Sequence, residues 1–497
     1  MEHLASTLKI RETLFTTNQI LSEEELKAVD SKLAQLRAEH GQLTLRLAKI
    51  EEMLSRLKYI RHPVRYVPDD ILGRVFEYAA PWCFSDGIEE SSFPPPYYAY
   101  KRNAPWNFAH VCQNWRAICH SLPHIWSAFR LRLSHISGPW PVFAEKMDAI
   151  YQRSSPLPLR LHIRDYESNQ ALRSLLKLSH RWGGVRFVSD GSDNSAHVEA
   201  FHDRLFPRLT HLALKPLSYP EPAHIMAPRL RNLELLQGVI DCGLVLPWDQ
   251  ITQYTSTNTD LDFIGHMKNL EGIIIKENHL SECRDYVSVN QDMERAILPK
   301  VRRFEYNNTE EIEPCYGRLD WLFIRYHFPS LRTLIISDFY CSDENFAFSL
   351  PSVVELSLVF FRADNLRNIL LATPNLRSLH LRSLVCDVRS MLVNDWHPED
   401  PSVANSLHAL ETLSITLGGR DNMYALPRLD KVLTALKTRD QPLKTISFYS
   451  GMLSGSERSS ESEWVGCVQE KMADSLDIWT KGGTQIQYHY DVDHRFP

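Results

Sequence analysis

One pattern limits this chain more than any other. The unit L-x-x-L-x-L recurs ten times between residues 209 and 448, with starts 19 to 34 residues apart. Clear copies are Leu209-Thr-His-Leu212-Ala-Leu214, Leu230-Arg-Asn-Leu233-Glu-Leu235, Leu331-Arg-Thr-Leu334-Ile-Ile336, Val353-Val-Glu-Leu356-Ser-Leu358 and Leu376-Arg-Ser-Leu379-His-Leu381. Ile251 to Tyr254 is a degenerate one. A Pro stands one or two residues before most copies. Within each copy the second and third apolar residues alternate with polar ones, which is the period of a half-buried strand. Helical patterns such as Ala363 to Leu370 and Leu429 to Leu436 lie between strands. A strand, a helix and a Pro-led return, repeated, describe a stacked α/β solenoid with a parallel sheet on its concave side. A doubly wound α/β domain would not repeat the unit so regularly. The segments 157–163 and 185–188 read as entry strands, and a helix near 465–478 with a strand near 485–490 reads as a cap, so the expected solenoid spans 155–497.

In such a sheet the second and third apolar residues of each unit point inward, and the residues between them are free to bind. The candidate target-binding face includes His211, Asn232, Glu234, Arg303, Glu305, Glu355, His380 and Arg382. Read strand by strand, this face is chemically mixed. It lacks the single-signed stripe or aromatic platform that nucleic acid requires, so protein recognition is expected of it.

Composition supports the exclusions. The formal charge is −6 over 497 residues, with 43% hydrophobic and 23% charged residues. That suits an ordered protein and leaves no domain-wide basic field for nucleic acid. Nine cysteines, an odd number with no CxxC, and no leader-like N-terminus point to free thiols in a reducing compartment. No stretch approaches the ~18 apolar residues of a membrane span. The expected location is cytoplasmic or nuclear. No phosphate-binding glycine loop, HExxH, GxSxG or paired-cysteine motif is present. No catalytic residue, cofactor or metal is therefore assigned, and the chain is read as a non-enzyme.

Residues 1–60 read as a long coiled-coil helix. From Leu26 the apolar positions step by three and four: Leu26, Val29, Leu33, Leu36, His40, Leu43, Leu47, Ile50, Leu54, Leu57. That is a heptad seam with a single polar residue, His40, and it calls for another helix, either a second copy through 26–57 or a partner. Ser22 and Glu25 form a capping-box pattern that starts the helix.

Residues 62–131 carry the most specific motifs. Pro68 and Asp69 precede Ile71, Leu72, Val75 and Phe76 on a short amphipathic helix. Val111-Cys112-x-x-Trp115-Arg116 and Leu122-Pro123-x-Ile125-Trp126 follow, after a polar, Pro-rich insertion at 81–104. Taken in order, these three sub-patterns resemble an F-box, in the variety common in mushroom-forming fungi. This sequence has Val67 where Leu is usual and Asp70 where Glu is common, and it carries the insertion. The resemblance implies docking on the Skp-type adaptor, and through it on the cullin and RING subunits, of an SCF-type ubiquitin ligase. Val67, Pro68, Ile71, Leu72 and Val75 would form the adaptor-binding face, and the leucine-rich repeats would hold an unknown protein target. The competing reading is a coiled-coil and leucine-rich-repeat scaffold, or a regulator of an enzyme, with no ligase link. Cys112 and Cys119, seven apart on one helical pattern, are expected to pack inward together.

Overall fold

The computed structural model describes residues 20–60, 63–79, 105–132, 140–164, 169–188, 201–214, 219–238, 242–259, 261–277, 295–308, 318–339, 349–361, 369–382, 407–417, 442–450 and 465–489 apart from Cys467 and Lys471. The insertion 81–104 and the stretch 429–436 lie outside them. Two compact units divide the chain, Met1–Ala79 and Ala80–Pro497.

The first unit is built on α1 (Glu23–Ile60), a single helix of 38 residues. The expected capping box closes: the Ser22 N–H donates to Glu25 Oε2 at 2.9 Å, and the Glu25 N–H donates to Ser22 Oγ at 3.3 Å. Glu23, Glu24 and Glu25 crowd the first turn and Lys58 sits in the last, so charge opposes the helix dipole at both ends. The helix runs through Gly41 without a break. None of the ten seam positions from Leu26 to Leu57 is buried. A 3-10 turn, Pro63–Tyr66, leads to α2 (Asp69–Ala79).

The second unit opens with α3 (Trp106–Val111), α4 (Gln113–Ser121) and a 3-10 turn at Pro123–Trp126. Next come β1 (Ala128–Arg132), α5 (Trp140–Arg153), β2 (Leu159–Arg164), α6 (Asn169–Leu176) and β3 (Trp182–Val188). Then follow β4 (Arg204–Leu205), β5 (His211–Leu214), β6 (Tyr219–Met226), β7 (Asn232–Gly238), β8 (Cys242–Val245), β9 (Gln253–Thr259) and β10 (Gly272–Glu277). The chain continues through β11 (Ala296–Ile297), β12 (Arg303–Asn308), α7 (Arg318–Arg325), β13 (Tyr326–His327), β14 (Thr333–Phe339), β15 (Glu355–Phe361) and β16 (Ser378–Arg382). It closes with β17 (Thr412–Leu417), β18 (Thr445–Ser450), α8 (Ala473–Lys481) and β19 (Gln485–His489).

Fourteen strands form one parallel sheet in the order β1-β2-β3-β5-β7-β9-β10-β12-β14-β15-β16-β17-β18-β19. Each of the ten sequence copies supplies one strand, and equivalent residues pair: Leu212 with Leu233, Leu334 with Leu356, Leu356 with Leu379. The spacing makes the parallel arrangement feasible, because parallel neighbours need a return of a dozen residues or more. At the start of eight of the ten copies a tight turn closes, as in the Leu230 N–H to Ala227 O bond at 3.1 Å and the Leu331 N–H to Phe328 O bond at 3.2 Å. Leu212, Leu214, Leu233, Leu235, Leu334, Ile336, Leu356, Leu358, Leu379 and Leu381 are all buried, as the alternation predicts. Each such side chain removed from water contributes about 1.5–3 kcal/mol, and the sum over stacked strands forms a continuous core.

Three features depart from the sequence reading. The sheet begins at β1, which starts within the span 62–131 and lies ahead of residue 155. That span is divided between the two units, with α2 in the first and α3 and α4 in the second. Short strands also stand where helices were expected between copies: β4, β6 and β8 form a three-stranded sheet, and β11 pairs with β13.

Candidate interaction faces

The apolar residues of α2 fall on two adjacent faces. Leu72 and Phe76, four apart, are 3% and 1% exposed. Ile71 and Val75, also four apart but one residue earlier, are 46% and 51% exposed. One step along a helix turns a side chain by ~100°, so neighbours in sequence serve different faces. Pro68 is exposed and Val67 partly so. The exposed apolar stripe is thus Pro68, Ile71 and Val75, extended by Tyr78 one turn on. Leu72 leaves the expected adaptor-binding set, because its side chain is committed to the core.

The second half of the F-box-like pattern is anchored in the second unit. Trp126 is buried, and its indole N–H donates to the Cys119 carbonyl at 2.7 Å. Trp106 meets it edge-on with centroids 5.0 Å apart. Trp115 is half-buried. Cys119 is buried, and that desolvation pushes its thiol up to about 11. Cys112 is exposed instead of packing beside it, because it occupies the cap of α4, where its Sγ accepts the Trp115 N–H.

On the open face of the sheet, the ladder brings several candidates into contact. Arg303 donates to Glu305 at 3.1 Å, Asn307 to Glu305 at 2.8 Å, and Ser337 to Asn307 at 2.9 Å. Thr333 donates to Glu355 at 2.9 Å. His380 lies 2.9 Å from the Ser378 hydroxyl, which also accepts from Thr412 at 2.7 Å. Thr210 Oγ1 lies 2.8 Å from His211 Nδ1. Asn232 is partly exposed at the start of β7, and the Arg382 side chain lies outside the described residues.

Sequence reasoning missed two features. Arg186 pairs with Glu234 at 3.4 Å, although they are on β3 and β7 with β5 between. The residue between them in the row is Ala213, too short to keep the long side chains apart. The other is a cationic row along the edge where the strands begin. In the first nine copies the residue after the first apolar position lends its carbonyl to two N–H groups of the next copy; Arg231 O, for example, accepts from Thr252 and Gln253 at 2.9 and 3.1 Å. Across the ten copies this residue is Arg231, Arg302, Arg332, Arg377 or Lys444 five times, and Glu271 or Glu411 twice. Glu411 is itself held below the usual carboxylate range by the hydrogen bond from Lys444 Nζ at 2.7 Å. The signal was present as the recurrent Leu-Arg, Val-Arg and Leu-Lys dipeptides.

Among the described residues, no group of three or more His, Cys, Asp or Glu is placed to hold a metal ion, and no helix is long and apolar enough to cross a membrane. A scan against protein-family models finds no match to this chain, and a search of curated proteins finds none either. The fold itself defines a mixed α/β chain with a long parallel sheet and an N-terminal helix.

Proposed function

We propose that this chain is a non-catalytic, target-recognising adaptor of an SCF-type ubiquitin ligase. Its F-box-like segment docks on the Skp-type adaptor, and its parallel sheet, a leucine-rich-repeat solenoid, holds a protein target on the concave side. The observation that carries this reading is the stripe Pro68, Ile71 and Val75, apolar and exposed on a helix whose other apolar face is buried. A short amphipathic helix with a spare apolar stripe suits helix-in-groove recognition. The F-box-like motifs lie in the right order around it. Such a protein acts by proximity alone: the target is held at high effective concentration near the enzyme that modifies it. The cationic row at the sheet edge favours a target with an acidic surface, whose capture weakens as salt rises.

Co-expression with a Skp-type adaptor tests the reading. The full chain is expected to bring the adaptor down, and Ile71→Asp with Val75→Asp is expected to lose it while the protein stays folded, since both residues already face water. Undiminished adaptor recovery by that double variant would sink the F-box assignment. Leu72→Asp is the wrong probe, because it places a charge in the core.

A further inference from the structure

We propose that α1 forms an antiparallel coiled coil with α1 of a second copy, so that the chain is a two-ended homodimer. The seam from Leu26 to Leu57 keeps its three-and-four step through ten positions, and every one of them is left unburied. A stripe this narrow and this regular is the shape of a surface for one more helix, and seams of three to four heptads or more are the mark of a coiled coil.

The charges beside the seam choose both the occupant and the direction. With Leu26 at position a, the g positions are Glu25, Lys32, Glu39, Arg46 and Met53, and the e positions are Glu23, Asp30, Arg37, Thr44, Glu51 and Lys58. In a parallel, in-register pair each g residue faces the e residue five places on. That sets Glu25 against Asp30 and Lys32 against Arg37, two like-charge contacts, with only Arg46 against Glu51 to offset them. It also stacks His40 on His40. In an antiparallel pair g faces g and e faces e. With the two-fold axis beside Gly41 and Gln42, the whole seam overlaps. Glu39 then meets Arg46 and Glu23 meets Lys58, against one like-charge contact, Asp30 with Glu51. His40 layers against Leu43 of the second copy instead of against itself. Glu39 and Arg46 lie on opposite sides of that axis, so each copy supplies the partner of the other. The seam is thus self-complementary in one direction only.

A helix of 38 residues is about 57 Å long at 1.5 Å per residue. An antiparallel pair therefore places the two Ile60 ends, and the chain that continues from each, at opposite ends of a rod. Resting on the function proposed above, this makes the assembly a bivalent receptor, suited to targets that are themselves dimeric or carry two sites.

Charge reversal tests direction and occupant together, with the full chain followed by sedimentation from low to high micromolar concentration. The wild type is expected to dimerise. Glu39→Arg is expected to weaken the dimer about tenfold, because two attractive contacts become repulsive, and Arg46→Glu likewise. Combining Glu39→Arg with Arg46→Glu is expected to restore wild-type affinity. In a parallel dimer Glu39 faces the neutral Thr44, so Glu39→Arg would change little, and the double variant would stay weak because Arg46→Glu sets a carboxylate against Glu51. That pattern would overturn the antiparallel arrangement, and a chain that stays monomeric at every concentration would overturn the dimer. Helix content by circular dichroism shows that the variants still fold. Adaptor recovery by the same variants is expected to match the wild type, so a failure of the ligase reading is separable from a failure of the coil.

Discussion

The guanidinium carbon of Arg153 sits 4.6 Å from the centroid of the Trp126 ring. Trp126 ends the second half of the F-box-like pattern, and Arg153 ends α5, which leads into β2. The same cation lies 5.1 Å from Trp106, so one side chain ties the α3–α4 pair to the start of the parallel sheet. A cation over two aromatic rings in a partly desolvated site contributes about 1–2 kcal/mol. Arg153→Ala is expected to destabilise the second unit by about that amount, and Arg153→Lys by less. Urea unfolding followed by tryptophan fluorescence checks this, and an unchanged midpoint for Arg153→Ala would show that the contact contributes nothing.

His120 also lies against this indole, with ring centroids 6.0 Å apart. Burial, then the charges of Arg153 and Arg116, hold its pKa below the ordinary 6.5. The folded protein resists protonating this ring more than the unfolded chain does. Stability is therefore full above about pH 6.5 and declines as the pH falls through the interval down to the lowered folded-state value. His120→Gln is expected to lose less of its stability than the wild type between pH 7 and pH 5. Equal losses in both proteins would remove His120 from the acid response.

Gly183 is the extra residue of a bulge. Leu159 pairs with Trp182 and Arg160 with Gly184, which leaves Gly183 without a partner in the register. A Cβ at Gly183 would come 2.7 Å from the Cβ of Pro158, whose ring cannot swing away. Gly183→Ala is expected to cost about 1–3 kcal/mol. Gly41, with nothing within 4 Å of its would-be Cβ, is the control. Gly41→Ala is expected to gain about 0.5–1 kcal/mol in helix stability. Thermal melts of both variants decide the matter, and a stabilised Gly183→Ala would contradict the crowding at Pro158.

Leu356 is fully buried at the centre of the sheet, paired in register with Leu334 and Leu379. Leu356→Ala is expected to cost about 2–5 kcal/mol through lost transfer energy and the cavity left behind. His380→Ala, on the open face of the neighbouring strand, is expected to change stability by no more than about 0.5 kcal/mol. On the proposed function its effect is expected in target capture instead. Alanine clusters made strand by strand along this face, scored for target recovery in cells, would locate the binding patch. Full recovery by every cluster would move recognition off the sheet.

Much of this architecture is legible in local pattern. Alternation within L-x-x-L-x-L marks Leu356 as inward and Ser357 as outward, because a strand has only two faces. Ser22 and Glu25 announce the start of α1, because a capping box needs only residues three apart. The step of three and four from Leu26 to Leu57 predicts the seam for the same reason. Illegible from pattern was the choice between Ile71 and Leu72, two apolar neighbours on a helix with room for either to be buried. Arg186 and Glu234 are 48 residues apart, and nothing in their local sequence couples them.

By itself the sequence determined whatever repeats or lies within a turn of its neighbour: ten strands in one register, the inward rows of leucine, the cap and the seam of α1. These follow from backbone periods that every residue obeys. Only the tertiary structure decided the contacts between residues distant in the chain. It buried Leu72 and left Ile71 in water, drew Arg186 over Ala213 to Glu234 and set Arg153 against Trp126. Each of those outcomes depends on which side-chain surfaces meet once the chain has packed, and no local period encodes that meeting.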